Sequence, residues 1–532
     1  MLLINQLKVK FNRFQVLDNL KESIAKKLGV SEDRVLDYTI LRKSVDARKK
    51  PDIFLVYNLL VKVKGEKPIL SKKMMNVSKY VFKDDPMDHL QGDYAKDKKI
   101  AIIGFGPAGM FSALTFARAG VDVTIFERGE EVDKRIETIK AFETKRILNP
   151  ESNIQFGEGG AGTYSDGKLT NRKKDPLGKW LFNEFVKAGA PEEILYDASP
   201  HIGSDKLIGV VKNIRKELIR LGSKIYFDSR VTRIESFGQG LHLQVNGKTE
   251  YFDHCILAIG HSSRDTIEML YDQKCHMVQK PFAVGFRIEH LQKDINESQF
   301  GFRESNHVLG PAEYKLTYRA KDHRGVYTFC MCPGGVVVPS ASEAGMLVTN
   351  GMSEYKRDKI NANSALLVTV DGKDFGSDHP LAGVAFQRQL EKKAFILGGK
   401  NYNAPIQRVG DFINNQKTKA LGEVMPSYAI GVTYANLRSV FSDELNQAFI
   451  SALASMGKDL QGFDSKDALL TGVESRSSSP VRIVRNSETL ESTTIEHLYP
   501  TGEGAGYAGG IVSAGIDGIK VARKILERIS IN

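Results

Sequence analysis

The chain is poor in cysteine: its 532 residues include only Cys255, Cys275, Cys330 and Cys332. Four thiols are too few and too clustered for the disulfide framework of a secreted domain, and the expected compartment is cytoplasmic. No uninterrupted apolar run reaches the roughly 18 residues that would suggest a membrane helix, so no membrane association is expected. Met1–Lys10 alternates apolar and polar residues, carries lysine early and lacks an apolar h-region; no signal peptide is expected. No His/Cys set has zinc-ligand spacing, so no metal site is expected. Internal repeats and low-complexity stretches are absent too. What is left is an ordinary globular chain, long enough for two or three domains.

A hydrophobic fraction of 41% and a charged fraction of 26% allow a sizeable core. The net charge of +11 is uneven. Residues 1–97 hold 20 Lys and Arg against 13 Asp and Glu, whereas the remaining residues hold 55 against 51. A lysine-rich solvated surface accounts for this surplus; a patch for RNA or another polyanion is the sharper alternative. The first 97 residues read as a small α/β module with strands over Leu2–Phe11, Arg34–Ser44 and Ile53–Val63. A helix is expected over Val16–Leu28, a turn at Lys64–Pro68 and a linker at Asp84–Lys99.

The next segment carries a nucleotide signature. A short apolar strand, Lys99–Ile103, runs into Gly104–Phe105–Gly106–Pro107–Ala108–Gly109, then an alanine-rich helix, then strand Val121–Phe126 ending at Glu127. Gly104 permits the tight turn, Gly106 lets backbone approach a pyrophosphate, and Gly109 lets the helix pack on the strand. Phosphates then meet the helix N-terminus, where free N–H groups and the dipole favour anions. Glu127 stands where a carboxylate hydrogen-bonds ribose hydroxyls. Ser204–Leu221 reads as an amphipathic helix capped by Ser204. Three strands follow, over Arg230–Glu235, Leu241–Val245 and Lys248–Phe252, the last two joined by the hairpin turn Asn246–Gly247.

Two later segments separate FAD from NAD. The strand Cys255–Ile259, with Ala258 one residue short of Gly260, resembles the second fingerprint of FAD proteins: an apolar strand, Ala, one residue, then Gly. Tyr499–Gly510, with Gly502, Glu503, Gly504 and Gly506, resembles the third, where a loop and helix start reach the ribityl chain and the flavin. A helix is expected to begin near Gly504. The order of the three pieces matches a bipartite FAD domain, residues 98–275 and 485–532, with a mixed α/β substrate or cap domain, residues 276–484, inserted.

With Phe156–Leu169, Gly260–Ser262, Phe329–Gly335 and Glu474–Arg482, the chain resembles a bacterial family of FAD-dependent dehydrogenases with an N-terminal α/β module, related to geranylgeranyl reductases and aromatic hydroxylases. The resemblance implies an α/β, Rossmann-like two-dinucleotide-binding flavoprotein fold with one non-covalent FAD. Related enzymes place a glycine loop like Gly157–Lys168 against the flavin ring, which implies cofactor contacts at Gly160, Ala161 and Gly162 and makes Asp166 and Lys168 the candidate catalytic side chains. Arg128 and Arg135 are implied at the pyrophosphate or a visiting nicotinamide. Glu474, Arg476 and Arg482 are candidates for the site or for structural ion pairs. Cys330 and Cys332, spaced as Cys-x-Cys in a strand-like run, read as buried and inert. The function expected is an FAD-dependent oxidoreductase acting on a small molecule by hydride transfer at flavin N5. NAD(P)H is left as a transient reductant, and an RNA-binding or RNA-modifying flavoprotein and a non-catalytic flavin-binding protein stand as alternatives.

Overall fold

The computed structural model describes residues 1–532 except 13–19, 83–86, 88–89, 171–174, 305–307 and 532. The expected start of the first helix, at Val16, and much of the expected linker from Asp84 lie outside the described residues.

Strand Ile100–Ile103 shows how the central sheet is built. Side chains alternate across a strand. Ile100 and Ile102 enter one core with Val123, Ile125 and Ile256. Ala101 and Ile103 enter another with Phe126, Cys255 and Leu257. Both faces are covered, and so these strands read as continuous apolar runs, as parallel strands do. Five strands pair in parallel in the order 498–500, 254–257, 100–103, 123–126, 224–226. Helices Pro107–Arg118, Leu177–Lys187, Ser204–Arg220 and Ile511–Ile531 supply the first core. The antiparallel meander Val231–Phe237, Gly240–Val245 and Lys248–Phe252 supplies the second. Its hairpin has Asn246 at φ 49° and Gly247 at φ 77°, the pair of positive angles that a type I′ turn needs. Helix Ser204–Arg220 is capped by Gly203, not by Ser204 as expected; the Ser204 N–H donates to Ser353 O instead.

A seven-stranded sheet forms the second body, in the order 317–319, 325–332, 361–370, 282–291, 469–474, 404–408, 432–434. Strands Phe282–Leu291 and Asn361–Val370 lie at its centre and are buried almost throughout. Strand Met277–Gln279, leading into this body, pairs antiparallel with Val481–Ile483, leading out. The chain therefore crosses between the two bodies twice at one ribbon.

The N-terminal residues form a four-stranded antiparallel sheet, ordered 35–49, 52–63, 2–10, 77–79, with helix Leu20–Leu28 packed on it through Ile24, Ala25 and Leu28. The expected turn at Lys64–Pro68 is instead the start of helix Glu66–Ser71, with Gly65 before it at φ 76°. Pro68 fits in that first turn, where an N–H would be unpaired anyway. This module is docked and not merely tethered. Ile53 is buried in the core of the second body, with Phe11 and Ala47 packed nearby. Lys43 also exchanges backbone hydrogen bonds with Tyr196 and Ala198. Among the described residues, no helix is long and apolar enough to cross a membrane, and no group of His, Cys, Asp and Glu could hold a metal.

A chain beginning at Leu90 should therefore fold with a lowered melting temperature, because the core around Ile53 is uncovered. Each kcal/mol lost is worth about 2–4 °C in a domain of this size. Thermal unfolding of the shortened and full chains checks this, and equal melting temperatures would show that the docking contributes nothing.

Candidate functional site

A cleft with about 1490 Å³ of atom-free space, its mouth included, opens at the carboxyl ends of the central strands, as expected for an open α/β sheet. At one end stands the first glycine turn. Gly104, at φ 99°, has no room for a side chain, since a Cβ would lie 2.4 Å from Ala258 O. A Cβ on Gly109 would lie 2.0 Å from Gly104 O. These two glycines serve packing. Gly106 differs: a Cβ there would meet only Gly160 Cα at 3.8 Å. Gly106 also precedes helix Pro107–Arg118, and no described side chain caps that helix. Its first N–H groups are thus left for an anion.

Glu127 is buried beside this turn. One carboxylate oxygen accepts the Phe105 N–H at 2.8 Å, and the other accepts the N–H groups of Gly129 and Gly157 at 2.9 and 3.0 Å. An ionised carboxylate has about four acceptor positions, so Glu127 fastens the turn to its neighbouring loop and keeps capacity for a hydroxyl. Arg128 lines the cleft, stacked 4.1 Å over the Phe156 ring and bidentate to Asp265. Arg135 does not reach the cleft, contrary to the sequence expectation. It is fully buried and donates to the carbonyls of Asn153, Ile154, Glu158 and Gly160, clamping the glycine loop from behind.

That loop is more regular than its composition suggests: Gly160–Tyr164 forms a 3-10 turn, placing Gly160, Ala161 and Gly162 on the cleft wall. The expected catalytic residues stay within 3.9 Å of each other, but only one of them lines the cleft. Lys168 lines the cleft, its ammonium donating to Met331 O and lying 3.4 Å from Glu313. Asp166 points away and is buried, bidentate to Arg357. It does not line the cleft itself, so the expectation of an Asp166 in direct contact with substrate is corrected.

The third segment is also rearranged. The helix starts at Ile511, not near Gly504. Gly504 packs against Gly260, where a Cβ would lie 2.4 Å from the Gly260 carbonyl oxygen. Gly502 meets Ala108, and Gly506 meets Val481. None of Gly502, Gly504 and Gly506 lines the cleft. Gly509 and Gly510 do, and neither would bring a Cβ within 4 Å of anything. Ala258, Gly260 and Glu503 line the cleft as the sequence suggests.

Composition gave no sign of the polar network opposite the glycine turn. Burial pushes the Glu503 carboxyl up to about 7, with Cys330 adding to the effect and Lys280 opposing it. His261 Nδ1 lies 3.6 Å from Glu503 Oε1. Burial, with Arg476 and Arg264 nearby, holds His261 down at about 3, so it is neutral. Arg476 lines the cleft but spends its guanidinium on Glu391 and Ser342, while Glu474 pairs with buried Arg287. Arg482 lies over the Tyr507 ring. Glu391 accepts from both Arg264 and Arg476. Burial alone would raise its pKa; the two guanidinia instead pull it well below 4.5. Its stabilising contribution is therefore full above the ordinary carboxylate range and fades only as pH falls towards the depressed value.

The chain's own residues fit an extended dinucleotide such as FAD. An uncapped helix start with room at Gly106 would meet the pyrophosphate, Glu127 a ribose, and the open Gly509–Gly510 turn, backed by helix Ile511–Ile531, the flavin end. One family-model match also names an FAD-dependent protein. Residues 281–477 match a family model described as "FAD-dependent protein, C-terminal domain-like". Residues 98–282 match "Pyridine nucleotide-disulphide oxidoreductase", and residues 1–62 match a domain of unknown function. A protein of Clostridium beijerinckii described as uncharacterised is 48% identical over 517 residues, covering 97% of each chain. Among solved structures, the chain is similar to CtdE in complex with FAD, at 12% identity and TM-score 0.31, over 82% of this chain and 88% of that one. It is similar also to a flavoprotein/dehydrogenase from Cytophaga hutchinsonii, at 13% identity and TM-score 0.34, over 81% of this chain and 78% of that one.

Gly106→Val should leave the fold intact and abolish flavin retention, since its side chain enters only the space a pyrophosphate needs. Gly109→Val should fail to fold. Far-ultraviolet circular dichroism with bound-flavin absorbance separates the two; a yellow Gly106 variant would place the phosphates elsewhere. Glu391→Ala leaves buried Arg476 without a carboxylate and Arg264 with Glu343 alone, and should cost about 3–5 kcal/mol, measured by urea unfolding at neutral pH.

Proposed function

The chain belongs to the family of FAD-dependent proteins that it shares with its Clostridium beijerinckii relative, and from that premise we propose that it is an oxidoreductase moving a hydride between a small-molecule substrate and the flavin. The observation that carries this reading is a single cleft joining an uncapped helix start at Gly106 to the half-buried, titratable Glu503.

Bound there, FAD supplies two-electron chemistry at N5 of its ring. The protein supplies the rest. Gly104–Gly109 and Glu127 hold the nucleotide half. The turn at Gly509–Gly510 presents the start of a 21-residue helix, whose dipole stabilises negative charge nearby. Phe329, Asn350 and Ser477 of the second body close the opposite wall and limit the substrate to what fits between the bodies. Glu503, with a pKa near 7, can hold or release a proton at Oε1 around neutral pH, the range in which a general acid or base works best. Neutral His261 keeps a buried Nε2 without a partner in the same place, a polar atom available to a substrate or to water.

Only one parallel nucleotide-type sheet occurs among the described residues, so NAD(P)H, where it acts, visits the cleft transiently. The RNA alternative gains no support: no described residue of 1–97 lines the cleft.

The purified protein should be yellow and release FAD on heating; release of FMN, or a colourless protein that takes up no FAD, would refute the reading. Gly510→Asp adds a carboxylate at the helix start without a steric clash. It should disfavour reduced, anionic flavin by about 0.3–2 kcal/mol and so lower the potential in a redox titration, with FAD still bound. The pH profile of kcat/KM should bend near 7 in the parent and lose that bend in Glu503→Gln.

A further inference from the structure

The strand Gly325–Cys332 carries a defect that packing does not explain. Phe329 pairs with Ala365 and Cys332 with Asn363, so three steps along one strand face two along its neighbour. One extra residue is accommodated in a bulge, and Cys330 sits there at φ 45°. A non-glycine residue in the left-handed region costs of order 1–3 kcal/mol and persists only where its surroundings over-determine it. They do so here. Arg287 donates to Cys330 O at 3.0 Å, the Cys332 thiol donates to the same oxygen at 3.3 Å, and Lys168 donates to Met331 O. Bulges of this kind re-aim a side chain beside active sites.

The re-aimed residue is Cys330, which lines the cleft. Cys332 is fully buried, its sulfur 3.3 Å from Cys330 O and 3.6 Å from Arg287 Nη2. The two thiols differ in acidity. A hydrogen bond from Cys332 lowers Cys330; burial opposes this, while the Arg287 and Lys168 charges assist. The same hydrogen bond, with burial, raises Cys332 well above the ordinary thiol range. The cleft therefore faces the better thiolate, and the poorer one stands in reserve. The other two cysteines have no such setting: Cys255 and Cys275 are buried in the apolar core of the central sheet.

We propose that Cys330 and Cys332 form a dithiol–disulfide pair that exchanges two electrons with the flavin in this cleft. This rests on the flavin reading above. In the oxidising direction two S–H bonds break and one S–S bond forms. Two electrons and one proton pass to the oxidised flavin, and the second proton leaves through the ionisable side chains at Glu503 and Lys168. In the reverse direction reduced flavin returns two electrons, the S–S bond breaks and both thiols re-form. Arg287, held by Glu474 and Asn363, is a positioning residue: it fixes the bulge through Cys330 O and packs its guanidinium against the Cys332 sulfur.

The test uses the full-length FAD-bound protein, oxidised with ferricyanide, desalted and titrated anaerobically with dithionite, beside Cys330→Ser and Cys332→Ser. The parent should consume about twice the electrons that its bound flavin alone accepts, and each variant only the flavin's share, with FAD occupancy unchanged. Alkylation of the oxidised parent followed by peptide mass spectrometry should find Cys330 and Cys332 linked to each other and protected. A parent that takes up only the flavin's electrons, with both thiols freely alkylated after oxidation, would overturn the proposal while leaving the flavin reading intact. A parent without FAD would overturn the flavin reading and the exchange with it. A linked pair whose electrons never reach the flavin, seen as unchanged flavin absorbance when the dithiol form is mixed with oxidised cofactor, would also overturn the exchange.

Discussion

One buried carboxylate, Glu391, sets the shape of the cleft. It accepts two hydrogen bonds from Arg264, at the start of a helix of the FAD-binding half, and two from Arg476, two residues beyond a strand of the second body. The Ser475 hydroxyl donates to it as well. Arg264 and Arg388 both reach Glu343, and Arg388 continues to Glu268. Three arginines and three glutamates thus balance across the junction. Such a network need not stabilise more than an apolar contact of equal volume would. It does fix register, because bidentate arginine–carboxylate pairs tolerate little displacement. Held this way, the Gly260–Arg264 turn and the Arg476–Ser477 segment become opposite walls of one site.

Much of the frame was readable in the amino-acid order because its causes are local. Apolar runs announced parallel strands covered on both faces, Asn246–Gly247 announced its turn, and the strand–glycine–helix–strand–Glu127 sequence placed the nucleotide turn. The losses were of one kind. A glycine required by a ligand and a glycine required by a neighbouring backbone look alike in sequence. Gly504 faces Gly260, whereas Gly510, which composition did not single out, faces the cleft. Asp166 sits in the right loop, but Ser165 and Lys168 line the cleft while Asp166 turns to Arg357, 191 residues away in the chain. The Glu391 junction and the bulge at Cys330 likewise depend on partners far away in sequence, and no spacing rule reports them.

The two ends of the cleft differ in how they handle charge. At the nucleotide end the positive character comes chiefly from unpaired backbone N–H groups, which carry no counter-ion and do not titrate. The arginines there are already committed: Arg128 to Asp265 and Glu151, and Arg230 to the same two carboxylates. Binding at that end should therefore depend little on pH. At the other end the groups are Glu503, His261, Lys168, Lys280 and Cys330, and burial is the leading cause of the shifts at Glu503, His261 and Lys280. Burial is also what an incoming ligand adds. Displacing water from the cleft extends the desolvation that already favours a protonated Glu503 and a neutral His261, and strengthens every remaining charge contact. Filling the reactive end and holding a proton there are thus coupled through the same loss of water, with no moving part required.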